Sequence, residues 1–119
     1  MNDASQATLP DRLTSILLRD DPDMLDLVAE FVNGLPARIA DLRQAYARLD
    51  WDALTRLAHQ LKGAGGSYGY PDLSRLGALM EADFRAHSAT SFTTWMDRLG
   101  ALAEAARAGL PASQPSAEP

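Results

Sequence analysis

The residues of this chain that are best suited to chemistry lie in one short stretch. His59 is followed three positions later by Lys62, and glycines occupy positions 63, 65 and 66. A neutral imidazole nitrogen is a competent nucleophile near pH 7, and a lysine ammonium group can bind an anion attached to the ring. Phosphoryl transfer needs mainly in-line access and compensation of oxygen charge. The stretch therefore predicts a histidine that accepts a phosphoryl group and passes it on.

The helical pattern around His59 predicts that its side chain faces water. At roughly 100° per residue, a helix over 51–67 places His59 about 150° from the centre of the apolar arc. That arc contains Trp51, Leu54, Leu57, Ala58, Leu61, Ala64 and Gly65. A lone helical histidine is more often a satisfied core or boundary residue, but this orientation argues against a core position.

The glycines that follow argue against an incidental surface histidine. Each glycine inside a helix costs up to about 1 kcal/mol relative to alanine, so three of them need a compensating purpose. Gly63 and Gly66 fall beside His59 on the helical wheel and leave the surface next to the imidazole bare. We expect another protein's backbone to approach there. Gly65 falls on the apolar side, where close packing between helices is the expected reason.

These residues resemble the signature of the histidine-containing phosphotransfer (HPt) domains of bacterial two-component relays. That signature is a histidine, any residue, an apolar residue, Lys-Gly, small residues and a later glycine. The matching residues here are His59, Leu61, Lys62, Gly63, Ala64 and Gly69. The resemblance extends over roughly residues 14–105 and shows no departure at the core motif.

The resemblance implies roles for individual residues. His59 would be the phosphoacceptor, through Nε2, and Lys62 would stabilise the phosphoryl charge. Glu81, 22 positions after His59, would hydrogen-bond the other ring nitrogen, fix the tautomer and raise the basicity of the imidazole. Without the resemblance, Glu81 would be read as a solvated surface glutamate.

The resemblance also implies the partners, which would be receiver domains of response regulators or of hybrid histidine kinases. The receiver would supply Mg²⁺, so we expect no cofactor bound by this chain itself. Gly63, Gly66, Gln60, Arg56 and Tyr68 would border the docking surface. The chain contains no Walker-type loop, so we expect a phosphoryl carrier without autokinase activity.

Apolar periodicity predicts helices throughout and no strand. Long amphipathic helices joined by short turns close most simply into an antiparallel up-down four-helix bundle, here with a short extra N-terminal helix. The predicted helices span 11–18, 22–48, 51–67, 71–87 and 92–108. Gly34 and Pro36 interrupt the second of these, so one kinked helix and two nearly collinear helices both remain open. Asp21, Asp50 and Ser91 are the expected caps.

The chain is predicted to form one domain with two tails. Residues 1–9 are expected to be a flexible N-terminal tail, residues 10–110 the HPt-like bundle, and residues 111–119 a disordered C-terminal tail rich in Pro, Ser and Ala. At 119 residues the chain can bury a modest core.

The composition of the chain argues against some classes of partner and indicates a cellular compartment. The net charge of −5 and the absence of a basic block argue against nucleic-acid binding. No apolar run is long enough to span a bilayer and no signal sequence precedes the domain, so we expect neither membrane insertion nor export. The lack of cysteine fits a reducing compartment. We expect a cytoplasmic monomer.

Two other functions stay open. The first is a pseudo-HPt helical adaptor that docks receiver or kinase domains without being phosphorylated, against which the intact His59, Lys62 and Gly63 argue. The second is a small metalloprotein that uses His59, Glu81 and His87. The chain contains only two histidines and no Glu-x-x-His pair, which disfavours a metal site.

Overall fold

The computed structural model describes residues 11–111, which contain helices and turns and no strand. A single turn of 3-10 helix, Pro22–Met24, separates the first α-helix from the others. In chain order the α-helices are α1 (Ile16–Asp20), α2 (Leu25–Asn33), α3 (Leu35–Ala47), α4 (Trp51–Ser67), α5 (Pro71–Arg85) and α6 (Phe92–Ala108). The predicted tails, 1–9 and 111–119, lie almost entirely outside the described residues.

Helices α3 to α6 form the predicted four-helix bundle. Each of them packs against the next along the chain, and α6 returns to α2 and α3, which closes the bundle. The most extensive contact is between α4 and α5. The fully buried side chains come from all of these helices and include Leu35, Leu42, Leu54, Leu61, Leu73, Met80, Phe84, Met96 and Leu99. Burial of this apolar surface is the main stabilising term of the fold.

The segment 22–48 is two helices, which settles the alternative that the sequence left open. Gly34 separates them while keeping helical angles (φ −86°, ψ −7°), and its N–H donates to the carbonyl of Glu30 at 3.0 Å. Pro36 lies in the first turn of α3, where its missing N–H costs no helical hydrogen bond. The two helices therefore follow one another with a break of a single residue.

The N-terminal helix begins later than predicted. Instead of spanning 11–18, α1 starts at Ile16, because Ser15 Oγ accepts a hydrogen bond from Leu18 N and caps it. The preceding chain is tied to the bundle: Leu13 N donates to Ala105 O at 2.8 Å. Ile16 N donates to the carbonyl of Gly69, so α1 covers the end of the bundle where α4 turns into α5.

The ends of the other helices agree with the sequence in most places. Asp50 Oδ1 accepts from Ala53 N at 3.0 Å and caps α4, as predicted. Asp21 Oδ1 likewise accepts from Asp23 N, although the first turn after it is 3-10. Helix α5 ends at Arg85 and not at 87, because His87 has a left-handed backbone (φ 54°). Ser91 precedes α6 but makes no side-chain cap.

Candidate functional site

His59 projects from the middle of α4 into solvent, as the helical wheel predicted. Its side chain is 62% exposed. An open groove of about 420 Å³ runs beside the ring, and its walls include Trp51, Arg56, Arg85 and His87. Ala58 and Leu61, the neighbours of His59 on the apolar side, are buried. The amphipathic pattern of α4 therefore presents the imidazole to an approaching molecule.

Glu81 lies under His59 on the adjacent helix α5. Its carboxylate is buried, with only 7% of the side chain exposed, and three side chains bind it. Oε2 lies 3.1 Å from His59 Nδ1 and 2.7 Å from an Arg85 nitrogen, while Oε1 lies 2.9 Å from Lys62 Nζ. The contact that the resemblance implied is present, and the role of Glu81 in phosphoryl transfer stays a prediction.

The charge state of Glu81 determines which nitrogen of His59 carries the proton. The hydrogen bond from Lys62, supported by those from Arg85 and His59, lowers the pKa of Glu81 to about 2, although burial opposes the shift. Near pH 7 the carboxylate is ionised and can only accept hydrogen bonds. His59 Nδ1 must then donate its N–H to Glu81, so the lone pair of the neutral ring lies on Nε2.

Close packing between α4 and α5 sets the position of Glu81 relative to His59. Gly77 lies one turn before Glu81, and a Cβ added there would lie 2.7 Å from the backbone nitrogen of Lys62. Ser74 Oγ donates to the carbonyl of Lys62 at 2.9 Å. The expected tight packing at Gly77 is thus found, and it brings α5 close enough for Glu81 to reach the imidazole and the lysine together.

The surface beside His59 on the next turn of α4 is bare. A Cβ added to Gly63 would meet no atom of the described residues within 4 Å, and at Gly66 it would meet only Ser74 at an ordinary contact distance of 3.5 Å. Both glycines are exposed. A Cβ added to Gly65 would instead lie 2.9 Å from Ser74 N, which fits the packing role predicted for this glycine.

A family model for the Hpt domain matches residues 26–109, well over half of the chain. The chain belongs to the Hpt domain family. Hpt domains act in phosphotransfer in two-component signalling and interact with receiver domains of response regulators or with kinases. The match includes α4 and α5 and therefore every residue of the cluster around Glu81. Searches of curated proteins and of solved structures found no match.

The structure brings some of the predicted docking residues of this Hpt domain together and leaves one apart. Arg56 lines the same groove as His59, and Gln60 is exposed next to it. The ring of Tyr68 stacks on Phe31 at 4.9 Å between ring centroids. Tyr68 is half-buried at the end of the bundle, where its carbonyl accepts a hydrogen bond from Ser15, so the structure does not place its ring beside His59.

Arg85 is the residue that the sequence analysis missed. It contacts Glu81 across one helical turn and lines the groove beside His59. The i,i+4 spacing from Glu81 to Arg85 is visible in the sequence and is a known stabilising arrangement on a helix. It carried no functional meaning there, because only the packing of α5 against α4 places both residues next to the imidazole.

The remaining expectations concern metals and membranes. Within residues 11–111, no group of three or more His, Asp or Glu side chains could hold a metal ion. His87, the third member of the proposed metal set, stacks its ring on Trp51 at 5.1 Å between centroids.

None of the described helices combines the length and the apolar character needed to cross a bilayer.

Proposed function

We propose that His59 is the phosphoacceptor of this Hpt domain, taking a phosphoryl group from the aspartyl phosphate of one receiver domain and returning it to another. One observation carries the proposal. An imidazole that is 62% exposed has its Nδ1 bound to a buried, ionised carboxylate. The free lone pair is therefore on Nε2, which would be the nucleophile.

The neighbouring residues suit this reaction. Lys62 follows one turn after His59, is 39% exposed and can turn from Glu81 toward a phosphoryl group on the ring. The bare surface at Gly63 and Gly66 admits the partner's backbone close to Nε2. In-line geometry and charge compensation are the main requirements of phosphoryl transfer, and the receiver would bring the Mg²⁺.

The direct test is transfer of labelled phosphate from phosphorylated receiver domains to three proteins: the wild type, His59→Ala and His87→Ala. The second variant is a matched control, because His87 is the only other histidine and lines the same groove. We expect acid-labile, alkali-stable label on the wild type and on His87→Ala, and none on His59→Ala. Circular dichroism should show unchanged helix content in both variants, since both side chains are exposed.

Two results would contradict the proposal. Equal labelling of His59→Ala would assign the phosphoryl group to another residue. If receivers bound the wild type and none labelled it, the non-phosphorylated adaptor would replace the carrier as the function of this domain.

A further inference from the structure

Arg85 and His59 bind the same oxygen atom of Glu81. The arginine lies 2.7 Å from Oε2 and His59 Nδ1 lies 3.1 Å from it. The guanidinium group is therefore within a few ångström of the imidazole, although its side chain is 67% exposed. A cation so placed acts on the histidine through the carboxylate that they share.

The charges around Glu81 determine whether protonation of His59 is favoured. A histidine beside a lone glutamate gains a favourable ion pair when it takes up a proton. Lys62 on Oε1 balances the carboxylate, and Arg85 on Oε2 then makes the cluster net positive even with a neutral ring. A proton on His59 would place a third cation on a single carboxylate, so the positive field opposes it.

We propose that Arg85 is a positioning residue that, together with Lys62, lets Glu81 orient His59 while keeping the ring a neutral Nε2 nucleophile. Glu81 alone would fix the tautomer but would also favour the imidazolium form, which has no lone pair to attack phosphorus. With Arg85 as a second cation beside Lys62, Glu81 still fixes the tautomer but no longer favours protonation of the ring. The proposal rests on His59 being the phosphoacceptor.

The other charged groups that face His59 do not alter this balance. On its own helix, Asp52 and Arg56 line the groove and carry opposite charges. On the neighbouring side, Glu81 and Arg85 come from α5, and His87 follows that helix and stacks on Trp51. The groove is lined by α4, α5 and the turn after α5, and by no described residue of α3. Together with Lys62 these groups sum to one positive charge when Arg85 is present and to zero when its charge is removed.

The same field favours the phosphorylated histidine. In the transfer, the Nε2 lone pair forms the N–P bond while the P–O bond of the aspartyl phosphate breaks, and the aspartate leaves as a carboxylate with the bonding electrons. The Nδ1 proton stays on the ring, which becomes a phosphoimidazolium that still donates to Glu81. Ring and phosphoryl group together carry a net negative charge of about one, which Lys62 and Arg85 stabilise.

The test is a pH titration of His59 in the unphosphorylated protein, monitored by ¹⁵N NMR of the imidazole ring. Arg85→Met removes the charge and keeps the apolar stem, and we expect the titration midpoint to rise by about half a pH unit, an effect that added salt reduces. Arg85→Lys should restore the wild-type midpoint. Arg75→Met is the matched control, because Arg75 lies on the same helix, is 68% exposed and also pairs with an acid one turn earlier.

The pH profile of labelling by a phosphorylated receiver provides the second measurement. For Arg85→Met we expect its lower limb to move to higher pH by the same half unit, with a loss of up to about threefold at pH values well below the midpoint and a smaller loss above it. An unchanged or lowered midpoint, or an equal rise in Arg75→Met, would overturn the proposal. The titration needs no receiver. A raised midpoint without labelling of the wild type would refute the proposed function and leave the effect of Arg85 on the ring in place.

Discussion

Two consecutive residues of α4 show how differently the two sides of this helix are built. At Lys62 the backbone is in close contact with α5, where a Cβ on Gly77 would lie 2.7 Å from its nitrogen and 2.9 Å from its Cα. At Gly63 the helix faces open space, and an added Cβ would meet no described atom within 4 Å. Gly77 is needed because a side chain there would clash with α4, whereas Gly63 leaves a surface bare that has room for a side chain.

The difference explains how one helix can bind the His59 ring on one side and still expose it on the other. On the closed side, Gly77 and Ser74 bring α5 against α4, so that Glu81 reaches the imidazole from below. On the open side, the absence of side chains after His59 leaves Nε2 accessible. If His59 is the phosphoacceptor, the first side would supply pre-organisation of the ring and the second would supply access for the partner.

A bulky residue on the open side should have the largest effect on function. A Cβ at position 63 meets no described atom within 4 Å, so we expect the Gly63→Leu protein to fold normally. Its side chain would fill the bare surface beside His59. If receivers dock there, the rate of labelled-phosphate transfer should fall by about tenfold or more, since a loss of about 1.4 kcal/mol in docking is tenfold. Normal transfer by a folded Gly63→Leu protein would remove this surface from the docking site.

The same comparison predicts stability changes of opposite sign for alanine. Gly77→Ala pushes a methyl group against the backbone of Lys62, and overpacking of this kind typically costs about 1 to 3 kcal/mol, partly offset by the better helix propensity of alanine. Gly63→Ala adds its methyl group in open space and should stabilise the protein by about 0.5 to 1 kcal/mol.

Urea unfolding of the two alanine variants and of the wild type measures both changes. The His59 ring signals should also move in Gly77→Ala, because a displaced α5 carries Glu81 away from Nδ1. Equal stability of the two variants would show that the contact between α4 and α5 is looser than the structure indicates.

The smallest expected effect concerns acid. The Lys62 hydrogen bond leads the interactions that lower the pKa of Glu81 to about 2 from an ordinary value of 4.5. The stabilising contribution of the ionised carboxylate is then complete above about pH 4.5 and is lost as the pH falls toward 2. We expect the difference in unfolding free energy between the wild type and Glu81→Gln to shrink over that interval. A difference that stays constant from pH 7 to pH 2 would contradict the assignment.

Much of the fold follows from local patterns in the sequence. The bounds of α4 and α6, the Asp50 cap and the exposure of His59 all agree with prediction, because caps and a 3.6-residue apolar period act within a single helix. The signature around His59 identified the family in the same way, because it lies within one helix and the turn after it. The predicted start of α1 was wrong because Leu13 N and Ile16 N donate to the carbonyls of Ala105 and Gly69, which are distant in sequence.

The break at Gly34 shows the limit of such local evidence. Glycine followed two residues later by proline is compatible with a kink and with an interruption, and the angle at Gly34 depends on what α2 and α3 pack against. Both helices contact α6 in the bundle.

The sequence by itself predicted which residue would be the nucleophile, and it determined on which face of its helix that residue lies and that the chain forms a helical bundle. The resemblance implied that Glu81 lies beside that residue, but only the tertiary structure decided that Lys62 and Arg85 bind the same carboxylate. A helical wheel describes one helix and contains no information on the axial register between two, and that register is set here by the contact of Gly77 with Lys62. It places Glu81 under Nδ1 and brings Arg85, four residues further on, to the same carboxylate oxygen.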